Sequence, residues 1–582
     1  MFNPNSATDR IKNSLSYKLG LAIIECKKQH RGGCIITLSC KLYKIKQQHF
    51  KEQKLYKQII KIFPQLAYPK VESCKDYNEG IKYKYHLSYM LGEALICAHK
   101  AWYKGGYFKL YKNIQNIKKQ YKLLKELNLE HLNISSKNKE LLITNFDAIK
   151  EILEFHKDYK PILENIFHNF DYTLKHLDLI KEWLLSDDFY QRYKKENHSY
   201  PSLLDPKKLN DENEKINYKN IPAELAWEMN LPLPNRYDFI WIRIWGCANH
   251  SFAKMASYYI DTNEFSFDFY YIYLNFYKKF KISKRKLMLH FVFFENKNKD
   301  KFIKLLVKKV PVLMITRDPI SILKTWANHT GKNDTEKKET HLNLDNDYSD
   351  FLKIKYLNYE NYLLDGVDNP DIRNIKSAQK SFLYSDVERL MEHSILYVQY
   401  VDIQEITVDN IHNVLNSLFG FSFFKKNQKI QEVFNDMSVY LTGRRKLIYR
   451  NKIEIYITNN FNSRGLNDIT YFLLNKNINN LIFAVDDYNL KKIVESDSVE
   501  DIREVIYDFL LKFNKVVRNE KEKAYSERDI LKYLSSNSNE RQFYRNKINY
   551  DLVYLKKYRP DIVASWKYYQ EFEKMCRELD GN

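Results

Sequence analysis

The chain has 582 residues, 44% of them hydrophobic and 15% aromatic, which excludes a disordered protein and allows roughly two to four globular domains. The formal net charge is +21, but most of the 94 basic residues are lysines spread over every segment, so we do not expect a nucleic-acid partner. Seven cysteines without CxxC spacing favour reduced thiols. The polar N-terminus lacks the apolar stretch of a signal peptide, and no apolar run reaches the length of a membrane span. We therefore expect a cytoplasmic protein, with peripheral association at the cytoplasmic membrane face left open.

An internal repeat occupies the first hundred residues. SLSYKLGLAIIECKKQHRGG (14–33) aligns with HLSYMLGEALICAHKAWYKGG (86–106), so LSYxLGxA followed by Gly-Gly occurs twice. Leu15, Leu19, Ala22 and Ile23 lie at helical spacing, and paired glycines are typical of helix ends. We predict a helical region at 1–110 with a duplicated packing unit; a helix that docks on a membrane surface or a polysaccharide is the alternative.

Helical patterns continue through 111–220 and end in a polar, proline-containing stretch at 201–225, the predicted domain boundary. Four short apolar runs then alternate with helical patterns, at 237–245, 286–294, 310–316 and 394–400. This alternation predicts an α/β core at 221–450, with a central parallel sheet and flanking helices. We expect a polar insertion at 328–380, acting as a lid or acceptor-binding element, and a mostly helical C-terminal region at 451–582.

The loop after the first apolar run is a candidate phosphate loop. Its residues are Gly246, Cys247, Ala248, Asn249, His250 and Ser251. A glycine turn that leads into a helix offers backbone N–H groups to a phosphate, although the lysine of a Walker A motif is missing. An ordinary strand–helix turn capped by Asn249 or Ser251 is an equal alternative.

The second run carries His290, with Glu295 near its end. A histidine at this place is a candidate general base, although from the residues alone we favour a packed core side chain.

The third run ends in VLMITRDPISILKTW (312–326), where Arg317 precedes the helix that starts at Pro319. A guanidinium offers a fork of donors to a phosphate or sulfate, and Ser321 and Thr325 add hydroxyls on the first turns. An Arg–Asp pair that caps the helix is the alternative. Because ligands bind at the carboxyl ends of parallel strands, the three strand ends together predict an anionic donor site, with no metal and no prosthetic group.

The order of these elements resembles the nucleotide-dependent sulfotransferase fold over roughly 235–450. That family has a phosphate loop, a strand with a catalytic His, and R-[DN]-P with a hydroxyl eight residues after the arginine, here Thr325. ILYVQYVDI (395–403) resembles its later strand, with Val401 replacing an acid, and LTGRRKL (441–447) is similar to its basic loop. The resemblance implies an adenosine-phosphosulfate donor, with Arg444 and Arg445 near the donor phosphates.

Three longer segments are similar to bacterial capsule-locus proteins labelled sugar transferases, which include O-methyl phosphoramidate transferases. The segments are MFNPNSATDRIKNSLSYKLGLAII, LPLPNRYDFIWIRIWGCANHSFAKMA and KKVPVLMITRDPISILKTW. This resemblance implies transfer of a phosphorus-centred group from a cytidine-diphosphate-type donor to a sugar hydroxyl of capsular polysaccharide or a lipid-linked glycan.

In this interpretation His290 deprotonates the acceptor, with Glu295 or His250 as substitutes. Arg317, Ser321 and Thr325 hold donor phosphate, and the 246–251 loop stabilises charge on the transferred group. Three alternatives stay open. They are sulfotransfer, a glycosyltransferase using one of the acidic pairs at 187–188, 345–347 or 486–487, and a non-catalytic scaffold for capsule assembly.

Overall fold

The computed structural model describes residues 3–29, 35–127, 134–330, 339–358, 366–420, 422–427, 445–450, 452–458, 465–475, 481–495 and 499–581. The chain forms two compact units, Met1–Pro232 and Leu233–Asn582, here called unit 1 and unit 2. The finer division at 110–111, 220–221 and 450–451 stays a prediction. Within the described ranges, no helix combines the length and the apolar character that crossing a bilayer requires.

Unit 1 is built from helices. They are α1 (Ala7–Lys12), α2 (Leu15–Gln29), α3 (Ile35–Ile62), α4 (Tyr77–Lys82), α5 (Leu87–Lys100), α6 (Gly106–Glu126), α7 (Ser136–His156), α8 (Lys160–His168), α9 (Phe170–Lys175), α10 (Leu177–Leu184), α11 (Asp187–Phe189), α12 (Pro206–Leu209) and α13 (Ala223–Glu228). Short 3-10 turns lie at Pro64–Leu66, Val71–Ser73, Tyr83–Tyr85 and Trp102–Lys104, and a π-helical turn at Tyr190–Lys194.

The two copies of the repeat form α2 and α5, which pack against each other. A Cβ atom on Gly20 would lie 1.6 Å from the carbonyl oxygen of Ser88, and one on Gly92 would lie 1.8 Å from that of Ser16. Since Gly20 aligns with Gly92 and Ser16 with Ser88, the contact is reciprocal. The two copies of the repeat therefore pack against each other through the serine and glycine that they share at the same spacing. The predicted helix end at 32–33 lies outside the described residues.

Unit 2 combines two sheets with helices. Its strands are β1 (Phe239–Arg243), β2 (Asp261–Thr262), β3 (Leu287–Val292), β4 (Val310–Thr316), β5 (Glu339–Leu342), β6 (Ile395–Asp402), β7 (Arg445–Tyr449), β8 (Ile453–Thr458), β9 (Asn467–Asp468) and β10 (Ile482–Val485). Its helices up to β6 are α14 (Asn249–Ser257), α15 (Phe269–Ile282), α16 (Lys299–Lys304), α17 (Pro319–Ala327), α18 (Ser349–Leu352), a 3-10 helix (Ile372–Ser381) and α19 (Tyr384–Met391). The remaining ones are a 3-10 turn (Ile403–Glu405), α20 (Ile411–Phe419), α21 (Thr470–Leu474), α22 (Asp487–Glu495), α23 (Val499–Lys523), α24 (Glu527–Ser536), α25 (Ser538–Asp551), α26 (Val553–Tyr558), α27 (Pro560–Ser565) and α28 (Lys567–Asp580).

The first sheet is parallel and has the strand order β2-β3-β1-β4-β6. The four predicted apolar runs are its strands β1, β3, β4 and β6, so the mixed α/β architecture with a parallel sheet and helical terminal regions is confirmed. Strands β3 and β4 are buried along their whole length, as expected for parallel strands covered by helices on both faces. The sequence missed β2 because it has only two residues.

The second sheet has the order β5-β7-β8-β10-β9 and differs from the expectation of a mostly helical chain after residue 425. It draws β5 from the segment 328–380, so part of that predicted insertion is a sheet strand. The buried residues of β7, β8 and β10 form one core with α23, including Leu447, Ile455, Phe483 and Phe509. The strands escaped prediction because they have two to six residues each and polar stretches separate them. The helices from Asp487 to Asp580 follow the expectation.

The parallel sheet has a topological switch point between β1 and β4. The chain leaves β1 toward β2 and β3 on one side of the sheet, whereas it leaves β4 toward β6 on the other side. These two strands are neighbours, with Ile242 opposite Met314. Loops that diverge from adjacent strand ends open a crevice, and ligands bind there in open α/β sheets. The loops after β1 and β4 therefore border the expected binding crevice.

Candidate functional site

Arg317, the residue after β4, connects the ends of the two strands at the switch point. Its Nη1 donates to the carbonyl oxygen of Gly246 at 2.8 Å and to Oγ1 of Thr325 at 3.1 Å. Three residues predicted from two separate strand ends thus meet. Among the described residues no carboxylate lies within ion-pair distance of Arg317, so its other N–H donors are left for an anionic ligand.

Asp318 does not pair with Arg317. Its Oδ1 caps α17 by accepting from the backbone N–H of Ile320 at 2.9 Å, and its Oδ2 accepts from the N–H groups of Tyr568 and Tyr569 at 3.0 and 3.1 Å. Burial raises the pKa of this carboxyl group, although the four backbone hydrogen bonds counteract the rise. Asp318 therefore joins the N-termini of α17 and α28, and the alternative of an Arg–Asp capping pair is wrong.

Ser321 points away from Arg317. Its Oγ donates to Oε1 of Glu527 on α24 at 2.9 Å, and Lys324 forms an ion pair with the same carboxylate at 2.6 Å. Thr325, in contrast, donates to the carbonyl oxygen of Ser321 and accepts from Arg317. Of the two predicted hydroxyls, only that of Thr325 belongs to the Arg317 cluster.

The loop between β1 and α14 contains two left-handed residues, Gly246 with φ of 81° and Ala248 with φ of 49°. No side chain in the described ranges caps α14, and Asn249 instead donates from Nδ2 to the carbonyl oxygen of Ile244 at 2.9 Å. The predicted capping by Asn249 or Ser251 is therefore wrong, while an ordinary strand–helix turn stays an alternative. Because the first amides of a helix lack intrahelical acceptors, the start of α14 offers N–H groups to an anion.

Cys247 is buried beneath this loop, 3.7 Å from the hydroxyl oxygen of Tyr384. Burial raises the pKa of its thiol to about 12, so the sulfur stays protonated at neutral pH. Cys247 therefore supports the loop and is not placed to act as a nucleophile.

Arg243, the last residue of β1, is a site residue that the sequence did not single out. Its Cζ lies 4.3 Å from the ring centre of Phe265 and 5.3 Å from that of Trp241. Its Nε is buried and has no hydrogen-bond partner, and within the described ranges no carboxylate pairs with the guanidinium. Burial lowers the pKa of Arg243 to about 10. A half-buried cation without a counter-ion, at the carboxyl end of a parallel strand, is typical of a site for an anionic ligand.

His290 lies inside β3 and is 4% exposed. Its Nε2 donates to the carbonyl oxygen of Asn263 at 2.9 Å, so Nδ1 carries the lone pair, and this buried atom has no partner in the described part of the chain. Burial is the largest cause that lowers the pKa of His290 to about 4, followed by the charge of Arg243. Such a ring is a weak base at neutral pH, which agrees with a packing role beside Trp241.

The two proposed substitutes for His290 differ in position. His250 is exposed on the first turn of α14, and its pKa is lowered by partial loss of water and by the charge of Arg243. It is therefore neutral and accessible next to the anion site. Glu295 follows β3, is 89% exposed and forms an ion pair with Lys299, so the structure does not bring it into the cluster.

An aromatic surface flanks Arg243, formed by Trp245, Phe265 and Phe267. Trp245 and Phe267 are stacked, with ring centres 5.9 Å apart and an angle of 7° between the rings. Phe265 and Phe267 are 40% and 54% exposed. A partly exposed aromatic surface next to an unpaired arginine suits a ligand that has a flat ring and a negative charge. The only hint in the sequence was the aromatic run YDFIWIRIW, in which Arg243 interrupts an apolar strand.

The remaining predicted residues lie elsewhere. Arg444 is outside the described residues, and Arg445 is the first residue of β7 in the second sheet, 1% exposed, with Nη1 donating to the carbonyl oxygen of Phe351. The assignment of Arg445 to the donor loop is therefore corrected, because an enclosed side chain of another sheet does not reach the edge of the parallel one. No group of three or more His, Cys, Asp or Glu residues in the described ranges is placed to hold a metal ion.

Two families of unknown function match parts of the chain. A domain of unknown function, DUF8374, matches residues 2–123, and a protein family of unknown function, DUF2972, matches residues 400–579. The first match includes the repeat helices α2 and α5, and the second extends from β6 to α28. No curated protein and no solved structure matches the chain.

Proposed function

We propose that the chain is a transferase that moves a small phosphorus-centred group, of the O-methyl phosphoramidate type, from a nucleotide-diphosphate donor to a sugar hydroxyl. The donor is cytidine-diphosphate-linked, and the acceptor is capsular polysaccharide or a lipid-linked glycan. Assignment of the parallel sheet to the sulfotransferase-like, P-loop-like class is part of the same proposal. The similarity to capsule-locus transferases supports the chemistry, and the geometry of the sheet edge supports the position of the donor.

The observation that carries the proposal is Arg243 without a counter-ion at the switch point. Together with Arg317 and the N-terminus of α14, it gives this crevice two cationic side chains and a positive helix end, while no described carboxylate pairs with either arginine. A diphosphate is the anion of matching charge. Its oxygens accept charged hydrogen bonds from the two guanidinium groups.

The aromatic surface of Trp245, Phe265 and Phe267 accounts for the nucleotide part of the donor. A nucleobase that stacks on Phe267 places its phosphates toward Arg243, because the Phe265 ring contacts both Phe267 and the guanidinium. Stacking of one base on an aromatic side chain contributes about 1–3 kcal/mol.

His250 is the base that the geometry favours. Its neutral ring takes the proton from the acceptor hydroxyl, and the acceptor oxygen then forms a bond to phosphorus. The bond from phosphorus to the bridging oxygen of the nucleotide breaks, and its electron pair stays on the leaving phosphate. Arg243 and Arg317 stabilise the charge that develops there.

Calorimetric titration of the purified chain with cytidine diphosphate tests the donor site. We expect the wild-type chain to bind and the Arg243→Met and Arg317→Met variants to bind roughly ten- to a hundredfold more weakly, since each loses a charged hydrogen bond. Arg389→Met is the matched control, because Arg389 is an exposed arginine that pairs with Asp386. A wild-type chain that binds no nucleotide, or site variants that match the control, would contradict the proposal.

Sulfuryl transfer is the second candidate, favoured by the contact between Arg317 and Thr325, the hydroxyl eight residues after the arginine of R-D-P. The same residues would hold an adenosine-phosphosulfate donor. Thermal unfolding distinguishes the two reactions: adenosine 3′,5′-bisphosphate raises the melting temperature of a sulfotransferase, whereas cytidine diphosphate raises that of a phosphoramidate transferase.

A further inference from the structure

Unit 1 carries five exposed aromatic side chains where α5 turns into α6. We call Trp102, Tyr103, Tyr107, Phe108 and Tyr111 the aromatic corner; they are 67, 66, 49, 95 and 74% exposed, respectively. Single exposed apolar residues are common on protein surfaces, but a contiguous group of large rings marks an interaction surface.

The surroundings of the aromatic corner are strongly basic. Between Glu93 and Glu126 the sequence has no acidic residue and eight lysines. These are Lys100, Lys104, Lys109, Lys112, Lys118, Lys119, Lys122 and Lys125. Lys122 pairs with Glu126 at 3.8 Å, whereas the six lysines from 100 to 119 have no carboxylate within ion-pair distance among the described residues. The corner is therefore flanked by uncompensated positive charge.

The aromatic corner is held rigidly. Gly105 turns the chain with φ of 74°, and a Cβ atom on Gly106 would lie 2.4 Å from the carbonyl oxygen of Ala98, so α5 and α6 meet too closely for a larger residue. The hydroxyl of Tyr107 also contacts Nδ1 of His99 at 2.8 Å. Because the backbone of the turn is closely packed, the segment that carries the rings loses little backbone freedom on binding.

We propose that the aromatic corner docks unit 1 on the surface of an anionic lipid bilayer. Trp and Tyr rings favour the interface between headgroups and acyl chains, an exposed Phe gains most from entering the apolar layer, and lysines extend toward lipid phosphates. Each lysine near an anionic surface adds to the affinity, and this contribution is weakened by salt. This inference rests on unit 1 alone and is independent of the transferase proposal.

The composition of the aromatic corner and its neighbouring lysines argues against other polyanions as the binding partner. All its fixed cations are lysines, whereas phosphates of nucleic acids are commonly bound by the planar fork of arginine. Phe108 has no group that hydrogen-bonds to a sugar, yet it is the most exposed of the five rings. An anionic membrane provides negative charge and also an apolar layer in which burial of the Phe108 ring is favourable.

Co-sedimentation of the full-length chain with lipid vesicles tests this inference. We expect binding to vesicles of phosphatidylcholine mixed with phosphatidylglycerol, much weaker binding to phosphatidylcholine alone, and release at high salt. The double variant Trp102→Ser/Phe108→Ser should partition at least about tenfold less, and Lys109→Gln/Lys112→Gln should lose affinity for the anionic vesicles.

Tyr471→Ser/Tyr488→Ser is the matched control, since these tyrosines of unit 2 are 65% and 68% exposed. All substituted side chains are exposed, so circular dichroism should show an unchanged fold. The inference is overturned if the wild-type chain ignores anionic vesicles, or if the corner variants bind them as well as the control does. It is also overturned if the chain does not bind vesicles but binds heparin or DNA, and the Trp102→Ser/Phe108→Ser variant loses that binding. The partner would then be a different polyanion.

Discussion

The half-buried Arg243 and the buried Arg541 of unit 2 have opposite environments. Arg541 donates from Nε and Nη2 to both carboxylate oxygens of Asp580, at 2.9 and 2.6 Å, and from Nη1 to the carbonyl oxygen of Leu534. Arg243 has aromatic rings around it, and its buried Nε has no acceptor among the described residues. The burial of Arg541 is explained by these hydrogen bonds, which connect α25 with α24 and α28. Burial of the Arg243 charge opposes folding, and the proposed anionic ligand accounts for its place at a strand end.

Replacement of Arg243 should therefore stabilise the protein while it impairs binding. We expect Arg243→Met to raise the free energy of unfolding by about 1 kcal/mol, because a methionine packs between Trp241 and Phe265 without a charge to desolvate. Chemical denaturation of the nucleotide-free chain measures the change.

Arg541→Met is the contrasting variant. It leaves the Asp580 carboxylate without its partner and should lower the free energy of unfolding. If Arg243→Met destabilises the chain as strongly as Arg541→Met does, Arg243 is a structural residue and the donor site loses its main support.

At the scale of elements, close approach of backbones explains two features that the sequence showed only as patterns. The glycines of LSYxLGxA allow α2 and α5 to cross with backbone atoms in contact, and the aspartate of R-D-P holds the N-terminus of α28 at that of α17. In both cases a residue that the sequence pattern assigned to a local helix feature makes a contact with a segment distant in the sequence. The partner of Asp318 lies 250 residues away, so no local pattern identifies it.

Alanine at the crossing glycines tests the first of these contacts. In an exposed helix Gly→Ala stabilises by about 1 kcal/mol, but a Cβ on Gly20 or Gly92 would collide with a carbonyl oxygen of the other helix. We therefore expect Gly20→Ala and Gly92→Ala each to destabilise unit 1 by at least about 2 kcal/mol. Urea unfolding followed by circular dichroism measures the effect; an increase in stability would show that the two helices do not cross this closely.

At the scale of the whole molecule, one buried neutral histidine lies in each compact unit among the residues that the structure describes. His156 in unit 1 donates from Nε2 to the carbonyl oxygen of Leu184 at 2.8 Å, and His290 in unit 2 donates to that of Asn263. Burial lowers the pKa of both rings to about 4. Unfolding returns them to a pKa near 6.5, so the unfolded chain binds more protons between roughly pH 6.5 and pH 4. The stability that they contribute is complete above this window and is lost as the pH falls through it.

We expect the free energy of unfolding to decrease between pH 7 and pH 5, by up to about 2 kcal/mol for each of these histidines. In His156→Gln and His290→Gln the amide still donates to the carbonyl oxygen but does not titrate, so the decrease should be smaller in both variants. Urea unfolding at the two pH values measures it. The control is His168→Gln, an exposed histidine of α8. An unchanged pH dependence in both buried-site variants would contradict the assignment of neutral rings.

The sequence by itself determined the long buried strands, the repeat and part of the site. Strands β1, β3 and β4 were evident because buried parallel strands are continuous apolar runs, and the edge strand β6 was evident from its β-branched and aromatic residues. The glycine loop and Arg317 were evident because charged and turn-forming residues directly follow such runs. These signals are local in the sequence, so they can be recognised without knowledge of the fold.

Only the tertiary structure decided which of these ends meet and which side chains lack a partner. The strand order sets β1 beside β4, brings Arg317 to Gly246 and turns Ser321 toward Glu527. It also leaves Arg243 without a counter-ion in the described part of the chain, and it assembles the second sheet from strands of two to six residues. Strand pairing and ion pairing join residues far apart in the sequence, and their free energy depends on neighbours that a local pattern does not contain.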